Sequence, residues 1–142
     1  MAKLLGLDIG DVWVGVALSD AVGITCRPYR TIQYDELTLF LYDTLKEENI
    51  TRVVVGHPVT MKGQASEQTK RVETIFATLQ SQFTTINDSP VQWILWDERL
   101  TTKRALEIMS SKKKKRSQAQ THSDHALAAA FILQSYLDSS AF

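Results

Sequence analysis

Asp8 is the first residue whose setting suggests chemistry. It lies in Leu4-Leu5-Gly6-Leu7-Asp8-Ile9-Gly10, where every other residue is apolar or glycine. A run this short and apolar reads as a strand buried on both faces. An ionised carboxylate there costs several kcal/mol unless it is paired or bound to a metal. The simpler role is a strand-end aspartate that caps the turn at Gly10. Two further acidic positions could join Asp8 in one site. Asp97-Glu98 closes the apolar run 91–96, and Asp124 opens a long apolar helix. An all-oxygen ligand set suits Mg²⁺ or Mn²⁺. Two such ions roughly 3.5–4 Å apart would stabilise the attacking and leaving oxygens of a phosphodiester displacement. Asp97 and Glu98 project from opposite faces of a strand, so one of the two reaches a shared site, and spacing leaves open which. Asp124 could instead serve only as a first-turn acid that favours the helix dipole.

The basic residues are concentrated. Residues 99–116 carry eight Lys/Arg against Glu107 alone, whereas residues 1–98 carry eight against 13 Asp/Glu. With formal charges summing to zero over 142 residues, this asymmetry points to a polyanionic partner better than the net charge does. Lys112-Lys113-Lys114-Lys115-Arg116 reads either as a solvated tract or as a source of sequence-independent affinity for a phosphate backbone. Arg99 could contact a phosphate or pair with its acidic neighbours. His122 and His125 flank Asp124 and could bind metal or move protons, but surface or capping histidines are the simpler reading. Trp13 in a hairpin turn could stack on a base, whereas Trp93 and Trp96 read as packed against the sheet.

These residues need a frame. Apolar runs at 4–9, 14–18 and 23–27 read as three consecutive antiparallel strands, the third stopped by Pro28. Asp35 can cap a first helix whose stripe is Leu37, Phe40, Leu41 and Leu45, with Asn49 at its end. Residues 52–56 form a fourth strand, and residues 59–65 a polar loop. Ser66 can cap a second helix with Val72, Ile75, Phe76, Leu79 and Phe83 facing inward. Residues 87–90 read as a loop before the fifth strand at 91–96. Thr101 or Thr102 can cap a third helix presenting Ala105, Leu106 and Met109 to the core. Residues 110–121 read as a polar connection, and Ser123 caps a last helix. Strands four and five each follow a helix, so right-handed crossovers make them parallel to the first. Their carboxyl ends then share one edge, where ligands of such sheets gather.

Composition bounds the rest. A chain of 142 residues, 44% hydrophobic, suits one domain spanning 1–142 with a real core. It shows neither a signal peptide nor a run near the roughly 20 apolar residues that cross a bilayer. Cys26, the sole cysteine, excludes an internal disulfide and a cysteine zinc site, so a cytoplasmic protein with a packed thiol is expected.

Several motifs together resemble one family. They are Leu7-Asp8-Ile9-Gly10, Gly15-Val16-Ala17 with Ser19-Asp20, Val55-Gly56-x-Pro58, the unbroken Asp97-Glu98-Arg99-Leu100-Thr101-Thr102, and Asp124-x-x-Leu127-Ala128-Ala129 with Ile132-Leu133-Gln134-x-Tyr136-Leu137. This pattern is similar to the YqgF/RuvX family over nearly the whole chain, and the 97–102 block is its most specific part. The resemblance implies an α/β RNase H-like fold with a five-stranded mixed sheet in the order 3-2-1-4-5. It implies a divalent-metal nuclease, with Mg²⁺ or Mn²⁺, two ions by expectation, that trims precursor 16S ribosomal RNA in bacteria. Ribosomal particles are then possible partners. By similarity the acidic triad is Asp8, Glu98 and Asp124, while Lys62, Arg99 and residues 112–116 would position the backbone. The same family is described as Holliday junction resolvases, and four-way DNA as substrate would favour a homodimer over a monomer. The chain departs from the pattern at Val12-Trp13, at His57, and in a longer connection before Asp124. A non-catalytic nucleic-acid-binding module is a different reading, disfavoured by the three intact carboxylates. A phosphotransferase of the actin and sugar-kinase type needs two such domains, more than this length holds.

Overall fold

The computed structural model describes residues 2–115 and 123–140. The strands are β1 (Lys3–Ile9), β2 (Trp13–Ser19), β3 (Cys26–Gln33), β4 (Ile50–His57), the short β5 (Thr85–Ile86) and β6 (Ser89–Pro90), and β7 (Gln92–Asp97). The helices are α1 (Leu37–Glu47), α2 (Glu67–Gln82), α3 (Lys103–Lys115) and α4 (Ser123–Ser140). The main sheet runs β3-β2-β1-β4-β7. β1 pairs antiparallel with β2 and β2 with β3, while β4 is parallel to both β1 and β7. That is the expected mixed sheet, its fifth main strand being β7.

Strand alternation divides the core into two layers. Leu5, Leu7, Val14, Val16, Val53 and Val55 point to the face covered by α1 and α2, where Leu41, Leu45, Val72 and Leu79 bury against them. Leu4, Ala17 and Val54 point to the other face, which α4 covers with Ala129, Ala130, Ile132 and Leu133. A Cβ at Gly15 would overlap the backbone carbonyl of His125, so only glycine lets the first turn of α4 settle onto β2. No described helix is long and apolar enough to cross a membrane.

Five expectations change. Pro28 lies inside β3 rather than ending it, because β3 is an edge strand and its pairing with β2 shifts register at Val16/Ala17, where a missing N–H is tolerated. Asp35 does not cap α1; it sits in a 3-10 turn, Tyr34–Glu36, that leads into the helix. Residues 87–90 are not a plain loop: Asn87 and Asp88, both at positive φ, turn the β5–β6 hairpin. Leu106 is exposed, and Ile108 takes the inward position on α3. α3 continues through Lys115, absorbing the start of the expected connection, as lysine is a good helix former and favours the negative end of the dipole. Arg116 and His122, and the side chains of Met109 and Lys112 to Lys115, lie outside the described residues.

Candidate active site

The two-residue period that divides the core also resolves the acidic pair. In β7, Trp93 and Leu95 join the α1/α2 layer, whereas Ile94 and Trp96 join the α4 layer. Continuing that alternation puts Glu98 on the α4 side and Asp97 on the other. Asp8 follows Leu4 and Gly6 on the same α4 side; a Cβ on Gly6 would lie 2.8 Å from the Cβ of Leu133. Asp8 and Glu98 thus face one helix across β4. The bare Gly56 between them leaves room, since a Cβ there would come within 2.8 Å of the Glu98 Oε2. The Glu98 N–H donates to the carbonyl of His57 at 3.3 Å and prolongs the β4–β7 ladder by one residue.

The third acid arrives from the far end of the chain. Asp8 pairs across the ribbon with Gly15, and Gly15 is where the His125 backbone seats. The first turn of α4 therefore brings half-buried Asp124 and His125 to the Asp8 end of the sheet. Burial raises the Asp8 carboxyl above its ordinary range, and the charge of His125 works against that rise. Burial pushes Glu98 up to about 7, with the negative charges of Asp8 and Asp97 adding to it. Asp97 moves the other way: hydrogen bonds from the Arg99 side chain hold it below the usual carboxylate range. Two neighbouring acids thus have opposite electrostatics because one turns inward toward another carboxylate and the other outward toward a guanidinium.

Asp8, Glu98 and the Asp124 turn converge on one edge, yet among the described residues no three His, Cys, Asp or Glu side chains are gathered closely enough to hold a metal ion. The donor chemistry nevertheless fits a hard divalent cation. The donors are carboxylate oxygens, and Asp8 and Glu98 are both held above their ordinary range by burial, Glu98 also by the negative charges of Asp8 and Asp97, which a cation would relieve.

The cationic candidates are placed unevenly. Lys62 is exposed on a tight loop, closed by Thr60 N–H to Gln64 O at 3.0 Å and Gly63 N–H to Thr60 O at 2.8 Å. Arg99 grips the Asp97 carboxylate, with Nη2 at 2.6 Å, and reaches the Met61 carbonyl at 3.4 Å through Nη1. It fastens the loop carrying Lys62 to the end of β7. Lys112 to Lys115 form the last turn of α3. His57 spends its ring on Glu73 at 2.9 Å. Trp13 is half-buried, and Trp96 packs edge-on against Tyr136.

Two supporting residues escaped the sequence reading. From α2, Gln68 Nε2 donates to Ile9 O at 2.8 Å, and Arg71 Nη1 donates to Gly10 O at 2.8 Å. They tie down the turn that follows Asp8. Their only sequence trace is an i, i+3 polar pair beside the buried Thr69 and Val72. Other family-like residues are structural. Ser19 Oγ accepts the Leu4 N–H at 2.7 Å. Gln134 takes the Cys26 N–H and donates to Ile24 O, so it pins the β2–β3 connection to α4. The Cys26 thiol is pushed up to about 12, first by burial, and donates to Ala130 O at 3.2 Å, as a packed cysteine would.

A family model described as "RuvX: Holliday junction resolvase" matches residues 2–139. The chain belongs to the RuvX family. Relatives named "Putative pre-16S rRNA nuclease" agree with it throughout. The one from Shouchella clausii is 39% identical over 96% of this chain and 94% of its own length. The one from Rubrobacter xylanophilus is 36% identical over 96% of this chain and 92% of its own. Among solved structures, Thermus thermophilus RuvC in complex with a Holliday junction substrate superposes with a TM-score of 0.58 at 14% identity, covering 99% of this chain and 97% of that one. The fowlpox virus resolvase bound to junction DNA gives 0.58 at 14% identity, covering 99% of both chains. At such identity the structural likeness establishes the RNase H-like, RuvC-like fold, while the family is a nuclease family by its name and by those of its members.

Proposed function

We propose that this chain is a divalent-metal-dependent nuclease that hydrolyses phosphodiester bonds, with precursor 16S ribosomal RNA as its substrate. The observation that carries the reading is that half-buried Asp8 and Glu98 face the same α4 side at the carboxyl edge of a RuvC-like sheet, each carboxylate near a like charge. The names of its relatives support the RNA.

In this reading Asp8, Glu98 and Asp124 hold Mg²⁺ or Mn²⁺, two ions in the full site. Bound there, the metal supplies Lewis-acid activation of the phosphoryl group and of the attacking water. The protein's own part is placement. Gln68 and Arg71 hold the Asp8 turn, Gly15 seats α4 so that Asp124 meets the same edge, and the Arg99–Asp97 pair fixes the loop from which Lys62 reaches a backbone phosphate. The lysine turn of α3 adds salt-sensitive, sequence-independent affinity.

The test is cleavage of a labelled ribosomal precursor RNA with Mg²⁺ or Mn²⁺ by the wild-type chain and by Asp8→Asn, both checked for folding. Metal-dependent cleavage that vanishes in the variant is the expected result. No cleavage by a well-folded wild type that still binds the RNA would overturn it in favour of a binding role. The family description and the fold of the junction-bound structures favour a second reading, four-way DNA as substrate. Junction DNA in the same assay, with competition between the two nucleic acids at fixed salt, separates them.

A further inference from the structure

We propose that the His57–Glu73 link is a positioning contact for Glu98, through which α2 sets the spacing of the two acid-bearing strand ends. The place of Glu98 depends on two consecutive residues of β4. The bare Gly56 leaves room for its carboxylate, and the His57 carbonyl takes its N–H at 3.3 Å. Beyond that rung both strands leave the ladder. β7 turns away, with Leu100 N–H donating to Asp97 O at 3.1 Å, and β4 passes into Pro58, which has no N–H to offer.

A strand end held by its last rung frays unless something outside the sheet fixes it. On β4 that support comes from α2. The Thr69 hydroxyl donates to the Pro58 carbonyl. One helical turn later, Glu73 Oε2 accepts the His57 Nε2–H at 2.9 Å. Thr69 is buried, and the His57 side chain is only 22% exposed. The same stretch of helix holds the end of β1, since Gln68 and Arg71 donate to Ile9 O and Gly10 O, both at 2.8 Å. Residues 68 and 71 thus grip the strand of Asp8, and residues 69 and 73 the strand on which Glu98 hangs. One helix carries both grips, so the gap between the two carboxylates follows from how it is seated.

The other acid near His57 does not replace Glu73. The charge of His57 bears on Asp97, its partner across the parallel ladder, but Arg99 already holds that carboxylate, with Nη2 at 2.6 Å. Glu73 is the contact that ties His57 to an element outside the sheet. A consequence for metal binding rests on the proposed nuclease reading; the hold on Glu98 does not.

The experiment follows two readouts in the full chain. The first is hydrogen exchange of the Glu98 amide by NMR, without metal. Glu73→Gln and His57→Leu should each speed it about tenfold, while the amides of Val53, Val54 and Val55 keep their protection. The second is Mn²⁺ binding by calorimetry. The same variants should weaken it about tenfold, the low end for outer-shell partners of a metal. The double variant should be no worse than either single one, because both remove the same contact. His57→Gln, which keeps a donor of similar reach, should restore both readouts. Glu47→Gln, an equal loss of charge on α1, should match the wild type. Charge alone predicts another pattern, in which Glu73→Gln weakens Mn²⁺ binding and His57→Leu does not. That pattern, or unchanged Glu98 exchange in both variants, would overturn the proposal. A wild type that binds no Mn²⁺ would sink the nuclease reading instead, and Glu98 exchange would still decide the contact.

Discussion

Asp8 and Asp20 stand at opposite ends of the β1–β2 ribbon and show what burial does to one residue type. Burial raises Asp8, with His125 working against the rise. Burial also pushes Asp20 up, but the Ile24 N–H and the hydroxyl and N–H of Thr25 outweigh it and leave Asp20 below the usual range. Asp20 folds its charge into the β2–β3 connection, accepting Ile24 N–H at 2.9 Å and Thr25 Oγ1 at 3.0 Å. Asp8 faces Glu98, a second carboxylate, instead. An aspartate satisfied by backbone donors is part of the scaffold. One held near its like is where the proposed site lies.

The largest effect expected from breaking this contrast is on cleavage. Asp8→Asn or Glu98→Gln should cost more than the roughly 10–100-fold typical of outer-shell partners of a metal. Asp20→Asn should leave the cleavage rate in place and lower the melting temperature instead. Parallel cleavage and thermal unfolding assays read both, and an Asp20→Asn chain as inactive as Asp8→Asn would erase the distinction. Gly15→Ala should come next. It forces α4 off β2, costing about 1–3 kcal/mol by denaturant unfolding, and activity should fall further than stability alone explains, because Asp124 rides on the displaced turn.

The pH dependence sharpens the comparison. Glu98 has a folded value of about 7 against an ordinary 4.5, so the folded state binds its proton more tightly than the unfolded state. Its stabilising contribution is full below about 4.5 and is lost as pH rises through 7. In chelator, Glu98→Gln should therefore raise the melting temperature at pH 8 and lose that advantage near pH 5. Adding Mg²⁺ should favour the wild type at pH 8. A Glu98→Gln gain that does not change with pH would refute the raised Glu98 carboxyl beside Asp8. The smallest effect is expected from Arg99→Ala. An exposed ion pair is worth about 0–1 kcal/mol, so stability should barely move, while loosening of the 60–64 loop should raise KM more than it lowers kcat. Steady-state cleavage at several RNA concentrations separates the two parameters.

Much of this was legible without coordinates. The apolar runs, the leucine stripe of α1 and the Ser66 cap each depend on neighbours a few residues away, and each appears where its pattern places it. The local signals that misled had non-local causes. Pro28 reads as a strand stop until β3 proves to be an edge. The lysine run reads as a connection until α3 packs on α4 and carries the helix through it. Leu106 and Ile108 exchange roles because the inward direction of a short helix is set by what it crosses.

The sequence by itself determined the strands and helices, the carboxylates at strand ends, the clustering of positive charge and the family resemblance, because these are written in local spacing and residue type. Its strand spacing left Asp97 and Glu98 open, with only the resemblance favouring Glu98, and it could not foresee Gln68 and Arg71 holding the Asp8 turn. Those choices fall to the tertiary structure, since they depend on which face of the sheet α4 covers. That face is settled by the close packing of α4 on Gly15 and Gly56, contacts between residues more than 75 positions apart in the chain.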